Sequence, residues 1–426
     1  MIARRLMIAL VCCAAPAAAE TVALVGGTVH PVSGPVIPNG TVVIRDGKID
    51  GVGAGLAAPT GARVVSCAGK HVYPGFISAN TVLGLTEISS VTGSNDDTEI
   101  GAINPNIRAE VQINPESELI PVARMGGITS ALVMPRGGAI AGTPALVHLD
   151  GWTYKDMTVR APVALYVQWP GMTATTEEQK KVRDRAVAEV RDAFEDARAY
   201  SRARAAEGRT GVPRHDRDVK WDALDGALRG EIPVMFRAAG MNQLRAVLAF
   251  VDEMKLERVI LLDGWDAWQI PDEIRKRNIS VITSGSLSAP ARRSEPYDTR
   301  YALPGRLYAA GIPFCIADGG GRGDAMNTRN LPQHAATAAA FGLPRDEAVK
   351  AVTLYPAQIL GVADRLGSIE PGKIADLIVA DGDPLEITTR IEQVWIAGRA
   401  IPMESRQTRL FQKYDAKPRG ANARPR

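Results

Sequence analysis

The chain has 426 residues, of which 46% are hydrophobic, 23% charged and 5% aromatic, a composition that excludes disordered and fibrous classes. Its formal charge is +3, but Arg4 and Arg5 hold two of those charges and the tail from Ser405 to Arg426 holds six, leaving −5 on the body between. A mildly acidic body argues against nucleic acid as the main partner, and no segment after the first nineteen residues is apolar enough to span a bilayer.

Residues 1–19 have the layout of an export signal. Arg4-Arg5 forms a positive start, Leu6 to Ala15 an apolar stretch, and Ala17-Ala18-Ala19 a small-residue cleavage site. Cleavage after Ala19 and secretion, into a periplasm if the source is Gram-negative, are therefore expected. The remaining chain keeps only Cys67 and Cys315, which form no disulfide framework.

From Thr21 to Tyr73 the sequence reads as short β-rich runs, Val22–Val25, Thr41–Ile44 and Ala62–Val65, punctuated by the turn Arg45-Asp46-Gly47-Lys48. A similar set, Ala375–Val379 and Gln393–Ile396, closes the chain. Neither set has enough partners alone, so 20–76 and 365–404 are expected to join in one small composite β-sandwich. Between them, Val/Ile-rich strands alternate with helices. The strands are read at Val72–Ile77, Thr129–Met134, Ala164–Val167, Ile232–Phe236, Arg258–Leu262, Ser280–Thr283 and Pro313–Ala317. Helices are expected at Glu116–Arg124, Met241–Met254, Pro271–Arg277 and Leu331–Phe341. That alternation signifies an α/β fold with a parallel sheet, and residues 77–364 suit a (β/α)8 TIM barrel.

Thr175–Gly208 reads as one long amphipathic helix with an apolar stripe of Val182, Ala186, Val190, Phe194, Ala197 and Tyr200. It should pack on the barrel or on a neighbouring subunit. The basic segment 405–426 is expected to be a flexible tail.

Two segments carry a family resemblance. Gly69-Lys70-His71-Val72-Tyr73-Pro74-Gly75-Phe76-Ile77-Ser78-Ala79-Asn80-Thr81-Val82 resembles the first-strand signature of the amidohydrolase superfamily, in its secreted, imidazolonepropionase-related branch. The stretch from Leu360 through Ala375-Asp376-Leu377-Ile378-Val379 to Asp383-Pro384-Leu385 is similar to the family's return into its β-domain. The resemblance implies a distorted TIM barrel, hydrolysis of C–N bonds other than peptide bonds (cyclic amides, imides or dipeptide-like substrates), and zinc or a similar divalent ion at the C-terminal ends of the strands.

Residue by residue, the implied metal site is not there. Where the family has His-x-His, this chain has Asn80-Thr81-Val82. Val82 has no donor atom, and the neutral amide of Asn80 is a poor ligand for a water-activating ion. The strand-5 His is matched by Arg237, whose guanidinium offers no lone pair and repels cations. The strand-6 His falls near Asp263, and the strand-8 Asp, metal ligand and general base in the family, is kept as Asp318. Arg329 is expected to line the mouth, and Arg237 to pair with Asp318 across it. His148 and His334 are the remaining pocket histidines, while His30, His71 and His215 lie away from the barrel top. Asn95-Asp96-Asp97-Thr98-Glu99 reads as a solvated loop and Gly319–Asp324 as a flexible lid; Trp265, Trp268 and Tyr301 read first as packing aromatics.

These residues imply no resident metal or cofactor. A non-catalytic role follows, as a binder or as a partner subunit holding a homologous amidohydrolase or a second copy of itself. Two alternatives stand beside it. One is an active hydrolase using Asp318 with one weakly held ion or none. The other is a periplasmic small-molecule binding or sensory module, with Arg237 reading a carboxylate.

Overall fold

The computed structural model describes residues 20–211, 214 and 216–417. The proposed signal segment 1–19 and His215 lie outside the described residues. Both ends of the chain build one eight-stranded sheet. Its strands come from Val22–Val29, Ile37–Arg45, Lys48–Ala54, Arg63–Ser66 and His71–Pro74, joined by Leu377–Ala380, Ile391–Ile396 and Arg399–Ile401. The seam is the antiparallel pairing of His71–Pro74 with Leu377–Ala380, in which Tyr73 faces Ile378 and Val72 faces Val379. A buried cluster that includes Val22, Leu24, Ile44, Val379 and Trp395 fills one side of this sheet.

The rest is TIM-barrel-like α/β structure. Phe76–Thr81 pairs in parallel with Ile128–Val133, and all twelve residues are buried. A second sheet runs Leu165–Gln168, Val234–Ala238, Val259–Asp263, Ser280–Thr283 and Phe314–Ile316, each parallel to the next. These are the apolar runs expected from the sequence, and parallel strands covered on both faces need that composition. Three short strands were not legible. Ile140–Gly142, Ala145–His148 and Thr158–Arg160 pair antiparallel to their neighbours. Each is only three or four residues long, too short to show a period. Among the described residues no helix is long and apolar enough to cross a membrane.

The carboxylate of Asp376 helps to tie the two units. Asp376 accepts hydrogen bonds from the Ser130 hydroxyl at 3.2 Å and from the Ala397 N–H at 2.8 Å. His148 Nε2 stands 3.2 Å from the same side chain. His148 thus sits at the junction rather than at the barrel mouth.

Glu177–Ala206 forms the long helix, opened by a capping box between Thr176 and Gln179. Only the middle of its expected stripe is buried, and Tyr200 at its end is half-buried. Val190, Phe194 and Ala197 are covered, with Phe194 edge-on to Phe250 at 5.2 Å, whereas Val182 is 60% exposed. The basic tail is not flexible throughout: Arg406–Asp415 is a helix, capped by Ser405 and Thr408 and pinned by Arg409 to Glu118 at 2.9 Å. Counting charges hid the Ser-x-x-Thr cap that starts it.

Phe194→Ala should cost roughly 3–5 kcal/mol of stability, while Val182→Ser should stay within about 0.5 kcal/mol. Urea unfolding of the two variants checks this division of the helix. Equal losses would contradict it.

Candidate functional site

The C-terminal ends of the parallel strands open into a cavity of about 480 Å³, lined by Arg136, Arg237, Asp263, Trp265, Ser284, Arg300, Asp318, Gly319–Gly321, Asp324 and His334 among others. In barrel enzymes this end carries the chemistry. Strand register explains the first contact in it. Arg237 and Asp263 end adjacent parallel strands, with Ala238 level with Asp263. Asp263 takes a left-handed backbone at φ 78°, and Gly264 follows at φ 53°. A side chain at Gly264 would meet Val281, so the turn needs glycine there. The result is an ion pair: Arg237 Nε donates to Asp263 Oδ2 at 2.9 Å, and the Ser284 hydroxyl donates to Oδ1. Arg237 therefore does not pair with Asp318, because a nearer carboxylate on the next strand takes it.

Asp318, two residues past Phe314–Ile316, is 1% exposed. The Ser78 hydroxyl donates to its Oδ1 at 2.9 Å, while Oδ2 has no partner. Burial pushes the carboxyl up to about 7, outweighing the Ser78 and Thr328 hydroxyls that favour the ion; the charge of Asp324 adds to the rise. His334 is 7% exposed with Nδ1 unpartnered, and burial pulls it down to about 4, so it is neutral at physiological pH.

The loops above are pinned, which corrects two expectations. Asp97 is 1% exposed rather than solvated, and Arg322 Nε lies 2.9 Å from both of its oxygens. The glycine loop is therefore locked to the loop after the first barrel strand. Arg136 completes the lock, with Nε 3.7 Å from Asp97 and Nη1 donating to the Gly320 carbonyl.

Three expected site residues do not line the cavity. Asn80 is 4% exposed and lies beneath Gly320, where any Cβ would run into its amide. Val82 is fully buried in the apolar cluster with Leu83 and Leu85, the natural place for a side chain without polar atoms. Arg329 borders a different cavity, with Val122, Gly126 and Thr408, on the side of the C-terminal helix. Asp318, Arg237 and Asp263 do come together. Trp268 sits under Arg306 and Tyr301 against Phe341, so of the three aromatics only Trp265 reaches the cavity.

Sequence reasoning missed Arg136 and Arg300. Arg136 stands three residues past Ile128–Val133, and the strand-end rule applied to Asp318 would have found it. Arg300 lies in an aperiodic stretch and left no signal. It is 5% exposed, covers the Trp265 ring at 3.1 Å, and keeps Nη1 without a partner.

The divalent ion implied by the family resemblance can be tested against these donors. A water-activating ion needs three or more anionic or imidazole ligands converging on one point. Among the described residues no group of three His, Cys, Asp or Glu side chains is placed to hold one. Asp263 already carries Arg237, a fixed positive charge at the same strand ends. The donor set does not fit.

Comparison with known proteins agrees on the fold. Residues 274–401 match the model of the amidohydrolase family; they include Asp318 and exclude Asn80, Val82, Arg237 and Asp263. An amidohydrolase, tasK, of Hapsidospora irregularis is 25% identical over 392 residues, 85% of this chain and 40% of that protein. An imidazolonepropionase of Syntrophobacter fumaroxidans is 36% identical over 84 residues, 20% of each chain. The chain thus spans less than half the length of either relative. The crystal structure of an amidohydrolase from Thermotoga maritima MSB8 superposes with a TM-score of 0.80 at 23% identity, covering 89% of this chain and 99% of that one.

Asp318 makes a signed prediction about pH. Between its ordinary value of 3.8 and about 7, the folded chain holds a proton that the unfolded chain has released, so this group's stability contribution is lost as pH rises. His334 does the opposite between about 4 and 6.5, so the two slopes offset in the wild type. Asp318→Asn removes only the first. Relative to wild type it should gain stability on going from pH 4 to pH 8, by up to roughly 4 kcal/mol, as read by urea unfolding. A pH-independent difference would contradict the assignment.

Proposed function

We propose that this chain is a member of the amidohydrolase superfamily that departs from metal-assisted hydrolysis: its barrel mouth binds a small polar molecule without turning it over. The observation that carries this reading is the Arg237–Asp263 ion pair, 2.9 Å long, at the strand ends where the family resemblance calls for metal ligands. A guanidinium there raises the local positive potential and uses up a carboxylate. The cavity keeps the polar lining and the volume of a ligand site. Export by way of segment 1–19, and association with a related chain, belong to the same proposal.

One observation favours a second reading, metal-independent hydrolysis. Asp318 is buried, its carboxyl lifted to about 7, with one oxygen free. A carboxylate poised near operating pH can take a proton from water as that water adds to an amide carbonyl, then return it to the leaving nitrogen. The charge on the carbonyl oxygen would have to be met by arginine or backbone N–H groups.

Assays of the purified chain on amides, cyclic imides and dipeptides decide between these readings. The binding reading expects no turnover, with or without added zinc. Turnover that survives a chelator but is lost in D318N would establish the second reading. Turnover that requires zinc would overturn both.

A further inference from the structure

We propose that the face carrying the C-terminal helix and Trp152 docks on an anionic lipid surface, lying on it rather than crossing it. The inference does not involve the barrel mouth and goes beyond the binding reading above.

Charge singles out this end of the chain. Ser405–Arg426 holds seven cations against Asp415, a net +6, whereas the body from Glu20 to Glu404 is −5. An anionic surface therefore attracts one end and repels the rest, which orients the approach. The helix Arg406–Asp415 gives that end a shape. None of its residues is buried, so it lies on the body without adding to the core. Arg406, Arg409 and Lys413 share one stripe of it, and Leu410 and Tyr414 the neighbouring stripe, both at helical spacing. Arg409 is committed to Glu118, which seats the helix, and the Lys413 ammonium stands 5.9 Å from the Tyr414 ring. Leu410, Phe411 and Tyr414 are all exposed. Lys417 follows the helix, and Arg419, Arg424 and Arg426 lie beyond the described residues.

A second, independent contact lies beside the helix. Arg409, Asp150 and Gly151 border one groove of about 350 Å³, and Trp152 follows directly on Gly151. Trp152 is 91% exposed, the one described tryptophan standing in water. An indole is apolar over most of its area with a single polar N–H, which suits the boundary between water and hydrocarbon. Acidic groups on this side are largely answered from within. Asp150 pairs with Arg124 at 3.0 Å and with Arg399 at 2.7 Å, and Glu118 with Arg409 at 2.9 Å; Glu116 is the remaining acid of the groove. Aromatic and aliphatic side chains set beside cations match a lipid surface, which offers hydrocarbon beneath anionic headgroups. An acidic polypeptide offers the charge alone.

Vesicle flotation tests this on the chain from Glu20 to Arg426, which carries every described strand and helix and lacks the apolar stretch Leu6–Ala15 that would enter lipid by itself. Vesicles of phosphatidylcholine mixed with phosphatidylglycerol should bind it about tenfold or more tightly than pure phosphatidylcholine, and high salt should remove the difference. R406E combined with K413E, which spares the Arg409–Glu118 pair, should weaken that binding about tenfold or more. L410S combined with Y414S should weaken it severalfold and leave its salt dependence unchanged. Tryptophan emission should shift to the blue on the anionic vesicles, and W152S should lose the shift and bind more weakly. All five positions are exposed, so urea unfolding of the variants should match the wild type. Equal binding to both vesicle types, binding unmoved by R406E with K413E, or the absence of a blue shift would each overturn the inference. Polyglutamate bound as tightly as the anionic vesicles would assign the face to an acidic protein and overturn it too. None of these outcomes bears on the barrel mouth, so the binding reading stands or falls separately.

Discussion

The barrel mouth is organised around one ion pair between neighbouring strands. Arg237 and Asp263 meet because parallel register brings their strand ends level and because Asp263-Gly264 turns left-handed there. Once that pair forms, the other groups sort themselves. Asp263 accepts from Arg237 and Ser284, Asp318 accepts from Ser78, and Arg136 lies beside Asp97. Asp318 Oδ2 and His334 Nδ1 stay without partners, in two residues that border the same cavity.

Position in the fold explains why such a site can be so polar. Strands covered on both faces form a rigid floor, and loops at their C-terminal ends are free to vary. Here those loops are tied together rather than left open, since Arg322 joins the glycine loop to the loop after the first barrel strand through a buried Asp97. Breaking one partner of such a pair leaves a charge uncompensated out of water, so the lock also holds the cavity's shape. On the opposite face, Asp376 ties the eight-stranded sheet to the barrel strands, which lets two distant parts of the chain act as one support.

Much of this was legible in the sequence. Val/Ile runs marked the long parallel strands, and both chain ends could be assigned to one β-rich unit because neither had partners alone. Asp318 was found because Ile316-Ala317-Asp318-Gly319 resembles the family's last-strand motif. Asn80 and Val82 show the limit of the same resemblance. A strand-end position says where a side chain sits along the barrel, not what covers it, and here Gly320 covers Asn80 while Val82 turns into the core. Arg237 was read correctly as a cation at the mouth, but its partner was misjudged, because register between strands is a tertiary property. Arg300 and Trp265 could not be paired at all, since their meeting depends on loop geometry without period.

The central claim is that this constellation of charges does not hold a divalent ion. Equilibrium dialysis of the purified chain against zinc, read by elemental analysis, tests it most directly. The account predicts zinc far below stoichiometry, unchanged in D318N. Stoichiometric zinc that D318N releases would contradict it.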